Sequence, residues 1–332
     1  MEWMLKWDAP PNAVQIDHRE KILLTGSCFT EHIGNSLSDM KFSILQNPNG
    51  ILFDTLSVCR SLCSYVENRQ LSINELFPLN EAWHSWEHHS AFSHPEAEAS
   101  VRKINHSVQE AHEFLASAKW LVITLGSSFS YQLTASSPFA HGRAVANCHK
   151  APAQWFTKYL IPIEEQLAVL EETIRLLRHY NPGLHIIFTV SPVRHIRDGV
   201  VENNRSKARL LETVHTLVQQ LEGVYYFPAY ELVIDVLRDY RFYDIDLVHP
   251  NYPATQFVLE HFIKSFVNAE TKKIIEALRP IIIAMKHKAF HPESVAHKKF
   301  LLSHLEKTQQ LQQQYPHLNL SRELAYFGNV VV

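Results

Sequence analysis

Two hydrophobic patterns alternate along the chain, and they predict different elements. Apolar residues follow one another with few interruptions at residues 21–25, 120–125, 185–190 and 224–227. Continuous runs of this length are typical of strands that are covered on both faces. Between the runs, apolar residues recur every three or four positions, which predicts helices over residues 28–39, 104–115, 163–177 and 210–221.

The order of these elements predicts the fold class. Strands that alternate with helices indicate a parallel sheet with helices on both faces, which is a doubly wound α/β fold. We assign residues 1–265 to this α/β domain. The pattern then becomes helical, with a break near His291 and Pro292, so residues 266–332 are predicted to form a helical C-terminal appendage. Such an appendage could pack on the core, cover the site or mediate homo-oligomers.

Composition limits the class of protein. The chain has 332 residues, of which 46% are hydrophobic and 20% charged, so it is not a disordered protein. A net charge of −3 indicates neither a nucleic-acid partner nor a polybasic membrane surface. We expect no spanning helix and no secretory signal, since no apolar run is long enough and residues 1–8 lack the signal pattern. With only four cysteines, the sequence predicts a cytoplasmic protein with reduced thiols.

Two residue counts are unusual. The chain has 21 histidines, and this excess could reflect a metal site, a catalytic site or only a compositional habit. It has only nine glycines, and Gly26, Gly50 and Gly126, at or near strand ends, are a large share of them. In doubly wound sheets, ligands bind beyond the carboxyl ends of the strands, so these glycines mark the expected site.

The segment after the first predicted strand is the first candidate for chemistry. Gly26 ends that strand, and Ser27 and Cys28 stand where a helix begins. A thiol at a helix N-terminus lies at the positive end of the helix dipole, which favours the thiolate and lowers the cysteine pKa. Ser27 could instead cap the helix while Cys28 packs in the core, and the pattern alone leaves both roles open.

A second candidate is the pair Asp246 and His249, which follows the last predicted strand and precedes a helix that begins near Pro253. A carboxylate three residues before an imidazole can orient the ring and leave its other nitrogen free as a base. A surface turn without a function is the alternative.

Two further clusters contain possible metal ligands. His84 and His88 are four residues apart, a spacing that would place both on one helix face, although the neighbouring glutamate does not match the metalloprotease pattern. Asn147 could donate to an oxyanion, and Cys148 with His149 could ligate a metal. Lining of a pocket is the alternative role of these residues.

Several motifs together resemble those of one family. Residues 26–30, Gly-Ser-Cys-Phe-Thr, resemble the motif that names the GSCFA family, with threonine where the name has alanine. The resemblance covers residues 20–265 and includes segments 124–126, 147–150, 189–195 and 246–250. This family is similar to the SGNH/GDSL hydrolases, which have a three-layer α/β/α, flavodoxin-like fold. Those proteins hydrolyse or transfer acyl groups on esters, often of carbohydrates.

The resemblance implies roles for individual residues. The Gly-Asp-Ser-Leu-Thr motif of the hydrolases corresponds to residues 26–30, which places Cys28 at the nucleophile position and Ser27 at the position of the aspartate. Their C-terminal Asp-x-x-His corresponds to Asp246 and His249. A cysteine with a His–Asp pair is a competent acyl-transfer nucleophile. Ser27 is the alternative nucleophile.

The resemblance also implies an oxyanion site and a pocket. The oxyanion glycine of the hydrolases follows their second strand and corresponds to Gly50. Their Gly-x-Asn corresponds to residues 126–128, where Ser128 replaces the asparagine, so Ser128 or Asn147 would supply the missing donor. The other residues expected to line the pocket are Gly126, His149, Arg194, His195 and His84.

The sequence therefore predicts an acyl hydrolase or O-acyltransferase that uses Cys28, His249 and Asp246. The resemblance implies an ester of a carbohydrate or another small molecule as substrate, and no cofactor. Two other classes stay open. One is a non-catalytic protein that holds a sugar or peptide on the same fold, and the other is a metal-dependent hydrolase that uses the histidine clusters.

Overall fold

A parallel five-stranded sheet lies at the centre of the computed structural model, which describes residues 4–139 and 141–328. The outer ends of the two predicted regions, residues 1–3 and 329–332, lie outside the described residues. The strands are β1 (Lys21–Gly26), β2 (Ser43–Gln46), β3 (Phe77–Leu79), β4 (Ala82–His84), β5 (Trp120–Leu125), β6 (Phe129–Leu133), β7 (Ala144–Val145), β8 (Phe156–Leu160), β9 (His185–Val190) and β10 (Val224–Tyr226).

The order of the parallel strands is β2-β1-β5-β9-β10. Numbered within this sheet alone, the order is 2-1-3-4-5, which is the flavodoxin-like order. The helices are α1 (Cys28–Asp39), α2 (Thr55–Glu67), α3 (Ala97–Ser117), α4 (Ile163–Tyr180), α5 (Val200–Gln220), α6 (Ala229–Glu231), α7 (Tyr252–Phe266), α8 (Ala269–Lys286), α9 (Val295–Gln314) and α10 (Ser321–Gly328).

Helices cover both faces of the sheet. Successive side chains of a strand point to opposite faces, so each face has its own core. In β1, Ile22 and Leu24 pack with α1, α6 and α7 on one face. Leu23 packs on the other face with α2, α3, α4 and α5. The predicted three-layer α/β/α, doubly wound fold is confirmed.

Two small antiparallel sheets interrupt the alternation of parallel strands and helices along the chain. β3 pairs with β4, and β6 pairs with both β7 and β8. The three-stranded sheet follows β5 directly, so it stands beside the carboxyl edge of the central sheet. Its strands contribute Phe129, Tyr131 and Lys158 to the cleft described below.

The C-terminal region is helical, as predicted, and α8 and α9 are separated by residues 287–294. Buried side chains of α8, α9 and α10, among them Leu278, Leu311 and Phe327, form a core of their own. An ion pair of 2.6 Å between Lys41 and Glu323 joins α10 to the turn before β2. In the part of the chain that the structure describes, no helix has both the length and the apolar character needed to span a membrane.

Candidate active site

A cleft of about 510 Å³ lies beyond the carboxyl ends of the central strands. The chain passes from β1 to β2 on one side and places β5 and β9 on the other, so the order of strands reverses next to β1. Such a reversal leaves the crevice in which open α/β sheets bind ligands. The cleft is lined by Ser27 and Cys28 after β1, Ser127 after β5, the loop 193–198 after β9, and Asp246 and His249 before α7.

The turn between β1 and α1 requires a glycine. Gly26 has a φ of +136°, and a Cβ atom there would stand 2.1 Å from the carbonyl oxygen of Thr124 in β5. The Ser27 backbone N–H donates to that same oxygen over 3.1 Å, and Cys28 is the first helical residue. Ser27 occupies the N-cap position of α1, but its side chain makes no capping hydrogen bond.

Burial raises the pKa of the Cys28 thiol above its usual range, and the nearby Glu31 carboxylate acts in the same direction. The backbone N–H groups of Cys28 and Phe29 and the charge of Lys207 act in the opposite direction but do not reverse the shift. The expectation of a lowered thiol pKa is therefore wrong, because burial outweighs the helix N-terminus. At neutral pH the resting side chain is therefore a thiol.

Asp246 and His249 form a hydrogen-bonded pair that lines the same cleft. Asp246 Oδ1 accepts hydrogen bonds from the backbone N–H groups of Val248, at 2.9 Å, and His249, at 3.0 Å. Its Oδ2 lies 2.6 Å from His249 Nδ1. The backbone and side chain of His249 lower the pKa of Asp246 to about 2, so the carboxylate is charged at neutral pH. Nδ1 therefore carries a hydrogen, and Nε2 has no hydrogen-bond partner among the described residues.

His195 lies in the same cleft, on the loop after β9. Its ring packs against Phe53 with a centroid distance of 5.3 Å, and its backbone N–H donates to Asn203 Oδ1 over 2.9 Å. Burial and the positive charge of Lys207 lower the pKa of His195 to about 4. The ring is therefore neutral at pH 7.

Lys207 is a site residue that the sequence analysis missed. This side chain, only 1% exposed, reaches from α5 to the strand ends, and Nζ donates to the carbonyl oxygens of Gly126 and Ser191 at 2.6 Å each. Burial lowers the Lys207 pKa to about 7, while the Cys28 thiolate would raise it. Lys207 thus joins the ends of β5 and β9 directly behind the cleft.

The structure brings six of the expected residues to one cleft. They are Ser27, Cys28, Arg194, His195, Asp246 and His249. Gly126 does not line the cleft but lies behind its lining residues, next to Phe53, Ser27 and His195.

The three residues expected to complete the oxyanion site, Gly50, Ser128 and Asn147, are not among those that line the cleft. The Gly50 N–H donates to the carbonyl of Asn47 at 2.7 Å within a turn. Ser128 is fully buried, and its hydroxyl donates to the carbonyl of Ser206 at 2.8 Å. Asn147 Oδ1 accepts from the backbone N–H of His149 at 2.8 Å.

The histidine clusters are not arranged as the sequence suggested. His84 ends a strand and His88 lies in a loop, so the predicted helical spacing is wrong. Both ring nitrogens of His84 are hydrogen-bonded, to Ser93 Oγ at 2.7 Å and to the carbonyl of Leu79 at 2.9 Å. The ring of His149 packs 4.6 Å from that of His84, away from the cleft lining. The described residues contain no group of three or more His, Cys, Asp or Glu side chains that could hold a metal ion.

Replacing Gly126 by alanine is expected to destabilise the protein. The added Cβ would lie 2.9 Å from Phe53 Cβ, 3.4 Å from Ser27 Cβ and 3.5 Å from His195 Nε2. Such overpacking costs about 1–3 kcal/mol of the free energy of unfolding, which urea denaturation would measure. Gly183→Ala is the control, because its added Cβ meets no atom closer than 3.7 Å. Equal stability of Gly126→Ala and the wild type would contradict the tight packing behind the cleft.

Comparisons with known proteins agree with the motifs. The profile of the "GSCFA family" matches residues 21–262, and that of the "GSCFA domain protein, C-terminal domain" matches residues 278–330. The comparison with curated proteins gave no match. A solved structure described as a "putative platelet activating factor from Streptococcus pneumonia" has a TM-score of 0.40 and 11% identity, over 76% of this chain and 86% of that chain. Since the first profile spans well over half of its residues, the chain belongs to the GSCFA family.

Proposed function

We propose that the chain is an acyl hydrolase or O-acyltransferase, similar to the SGNH/GDSL hydrolases, that acts on esters of carbohydrates or other small molecules. The observation that carries this proposal is the placement of a hydrogen-bonded Asp246–His249 pair and of Cys28 on the walls of one cleft. A nucleophile, a base and a group that orients the base are the elements of acyl transfer by this route.

The first step is the attack of Cys28 on the acyl carbon. His249 Nε2 accepts the thiol proton as the Cys28 sulfur forms a bond to the carbonyl carbon. The carbonyl π electrons move to the oxygen, which becomes an oxyanion. Because the thiol pKa is raised, proton transfer to His249 accompanies the attack. The neighbouring Asp246 carboxylate stabilises the imidazolium that forms.

Backbone N–H groups would hold the oxyanion. Those of Cys28 and Phe29 belong to the first turn of α1, where N–H groups have no partner within the helix, and both interact with the Cys28 sulfur. As the C–O bond of the ester breaks, the leaving alcohol takes the proton from His249, and a Cys28 thioester remains. Water or a second hydroxyl then attacks the thioester, with His249 as base, which releases the acyl product and restores the thiol.

Exposure favours Cys28 over Ser27 as the nucleophile. Ser27 is only 3% exposed, and its hydroxyl oxygen is buried without a hydrogen-bond partner among the described residues. Cys28 is half-buried and lines the cleft, so it is the more accessible of the two residues.

Replacing His249 by glutamine tests the proposal. With acetyl esters of 4-nitrophenol and of sugars as substrates, we expect kcat/KM of the variant to fall by about 10²–10⁴-fold, which is the usual contribution of a general base. His261→Gln is the matched control, since His261 also contacts an aspartate, with its Nε2 3.5 Å from Asp8 Oδ1, but lies on α7 outside the cleft.

Two other results would contradict the proposal in different ways. Undiminished turnover by His249→Gln would remove His249 from the reaction. If the wild type hydrolyses none of the esters and transfers no acyl group, yet binds the sugars in calorimetry, the chain is a binding protein instead.

A further inference from the structure

The charged side chains of the cleft are unevenly paired. Lys158 forms an ion pair with Asp198, and Asp246 is bound to His249, so both cleft carboxylates are engaged. Arg197, by contrast, is exposed and has no ion pair with any residue that the structure describes. The Arg197 guanidinium also makes no hydrogen bond to a described residue, so the cleft has a cation with donors available for a ligand.

Arg194 is a second cation, and it is held in place. Its guanidinium lies 4.5 Å from the ring centroid of Tyr243 and 5.0 Å from that of Tyr240, and Nη1 donates to the Tyr240 hydroxyl over 3.0 Å. Its backbone N–H donates to the carbonyl of Val248, beside His249, over 3.2 Å. A guanidinium has five N–H donors, so most of them remain for a ligand.

The sum of these charges is positive. The cleft contains the three cations Lys158, Arg194 and Arg197 and two carboxylates, whereas the whole chain carries a net charge of −3. A cleft of opposite sign to the rest of the protein concentrates ligands of the complementary charge. The uneven pairing therefore favours an anionic ligand.

Aromatic side chains give the cleft an apolar wall as well. Phe53, Phe129 and Tyr131 line it, and the Lys158 Nζ lies 4.3 Å from the ring centroid of Phe129. Ligand sites commonly combine such a wall with a few polar groups that fix orientation. A compact ring with one charged substituent would match both features.

We propose that the ester substrate carries an anionic group, a phosphate or a carboxylate, which Arg194 and Arg197 bind while the acyl group lies at Cys28. This inference rests on the proposed function. Guanidinium groups bind both kinds of anion through paired N–H donors, so the structure identifies the charge and not which of the two anions is present.

Three matched substrates test the inference: glucose, glucuronate and glucose 6-phosphate, each acetylated at the same hydroxyl. We expect kcat/KM of the wild type to be about tenfold or more higher for at least one anionic ester than for the neutral ester, as one charge-assisted contact allows. The anionic ester that is preferred distinguishes carboxylate from phosphate. Arg197→Ala is expected to lower this preference by about fivefold or more.

Arg175→Ala removes the same charge from α4, well away from the cleft, and should leave the preference unchanged. Equal kcat/KM for the three esters would overturn the inference, as would an equal loss for all three in Arg197→Ala. Because Arg197 is exposed, we expect the variant to fold, and its melting temperature would show this.

Binding measurements test this inference independently of the proposed catalytic function. If no ester is turned over, calorimetry with glucose, glucuronate and glucose 6-phosphate still measures affinity, in the Cys28→Ala variant as well. Tighter binding of an anion that Arg197→Ala weakens would support the inference without catalysis. Equal binding of the three sugars would overturn it.

Discussion

Cys28→Ala is expected to lower kcat/KM for ester turnover by about 10³-fold or more, since removal of the nucleophile leaves only the contribution of the oxyanion donors and of binding. Ser27→Ala is expected to stay within about tenfold of the wild type, because its hydroxyl is buried and serves no step of the reaction. Steady-state kinetics of the two variants on the same acetyl esters makes the comparison.

Mass spectrometry of the acyl-enzyme gives an independent measurement. A Cys28 thioester adds the mass of the acyl group to the peptide that contains Cys28, and hydroxylamine removes it. Cys63→Ala is the matched control, since Cys63 is also half-buried but lies on α2 outside the cleft. Full activity of Cys28→Ala together with loss in Ser27→Ala would make Ser27 the nucleophile instead.

The central fold could be predicted from the sequence because three of its strands have an unambiguous hydrophobic pattern. β1, β5 and β9 are buried along nearly their whole length, so each appears as a continuous apolar run. The edge strand β2 was missed, since it has one exposed and three partly buried residues and includes serine and glutamine. The short antiparallel strands β3, β4 and β6–β8 were missed as well, because strands of two to five residues with mixed polarity give no clear period.

The cleft was predictable where its residues follow strands directly. Ser27 and Cys28 come after β1, and Arg194 and His195 after β9, so the topology of a parallel sheet brings them together. Gly50 also follows a strand, but its N–H closes a turn, and no pattern of residue types reveals the direction of one N–H group. Aromatic residues of the inserted strands were missed because their approach to the cleft depends on tertiary structure alone.

The position of Lys207 in the sequence could have predicted that its side chain is buried near the site. It lies three residues before Leu210 and seven before Val214, on the stripe of α5 that packs against the sheet. A lysine on such a stripe must either extend to the surface or find buried acceptors. It lies in the N-terminal half of α5 and reaches the carboxyl edge of the sheet, where two strand-end carbonyls accept its hydrogen bonds.

Lys207 is expected to make the stability of the protein depend on pH. In the unfolded chain a lysine titrates near its ordinary pKa of 10.5, whereas burial lowers the Lys207 pKa to about 7 in the folded protein. Between these two values the unfolded state binds more protons than the folded state, so the free energy of unfolding rises with pH. The rise due to Lys207 approaches about 1.4 kcal/mol per pH unit, or about 2 kcal/mol between pH 7 and pH 9.

Lys207→Met is therefore expected to destabilise the protein more at pH 9 than at pH 7. At pH 9 the neutral amine of the wild type still has two N–H donors for the carbonyls of Gly126 and Ser191, while methionine leaves both carbonyls without this donor. Each buried acceptor that loses its donor costs about 1–3 kcal/mol. At pH 7 the difference is smaller, because the wild type also bears the cost of a partly charged, buried amine.

Urea denaturation at pH 7, 8 and 9 would measure the difference, with Cys28→Ala as the background so that this thiol does not titrate in the same range. Lys273→Met, which removes an exposed lysine paired with Glu270, is the control and should show no such dependence on pH. A difference between wild type and Lys207→Met that stays constant from pH 7 to pH 9 would mean that Lys207 keeps its proton in the fold. The cleft would then have a permanent positive charge behind Cys28, and the thiol would be more acidic than its burial implies.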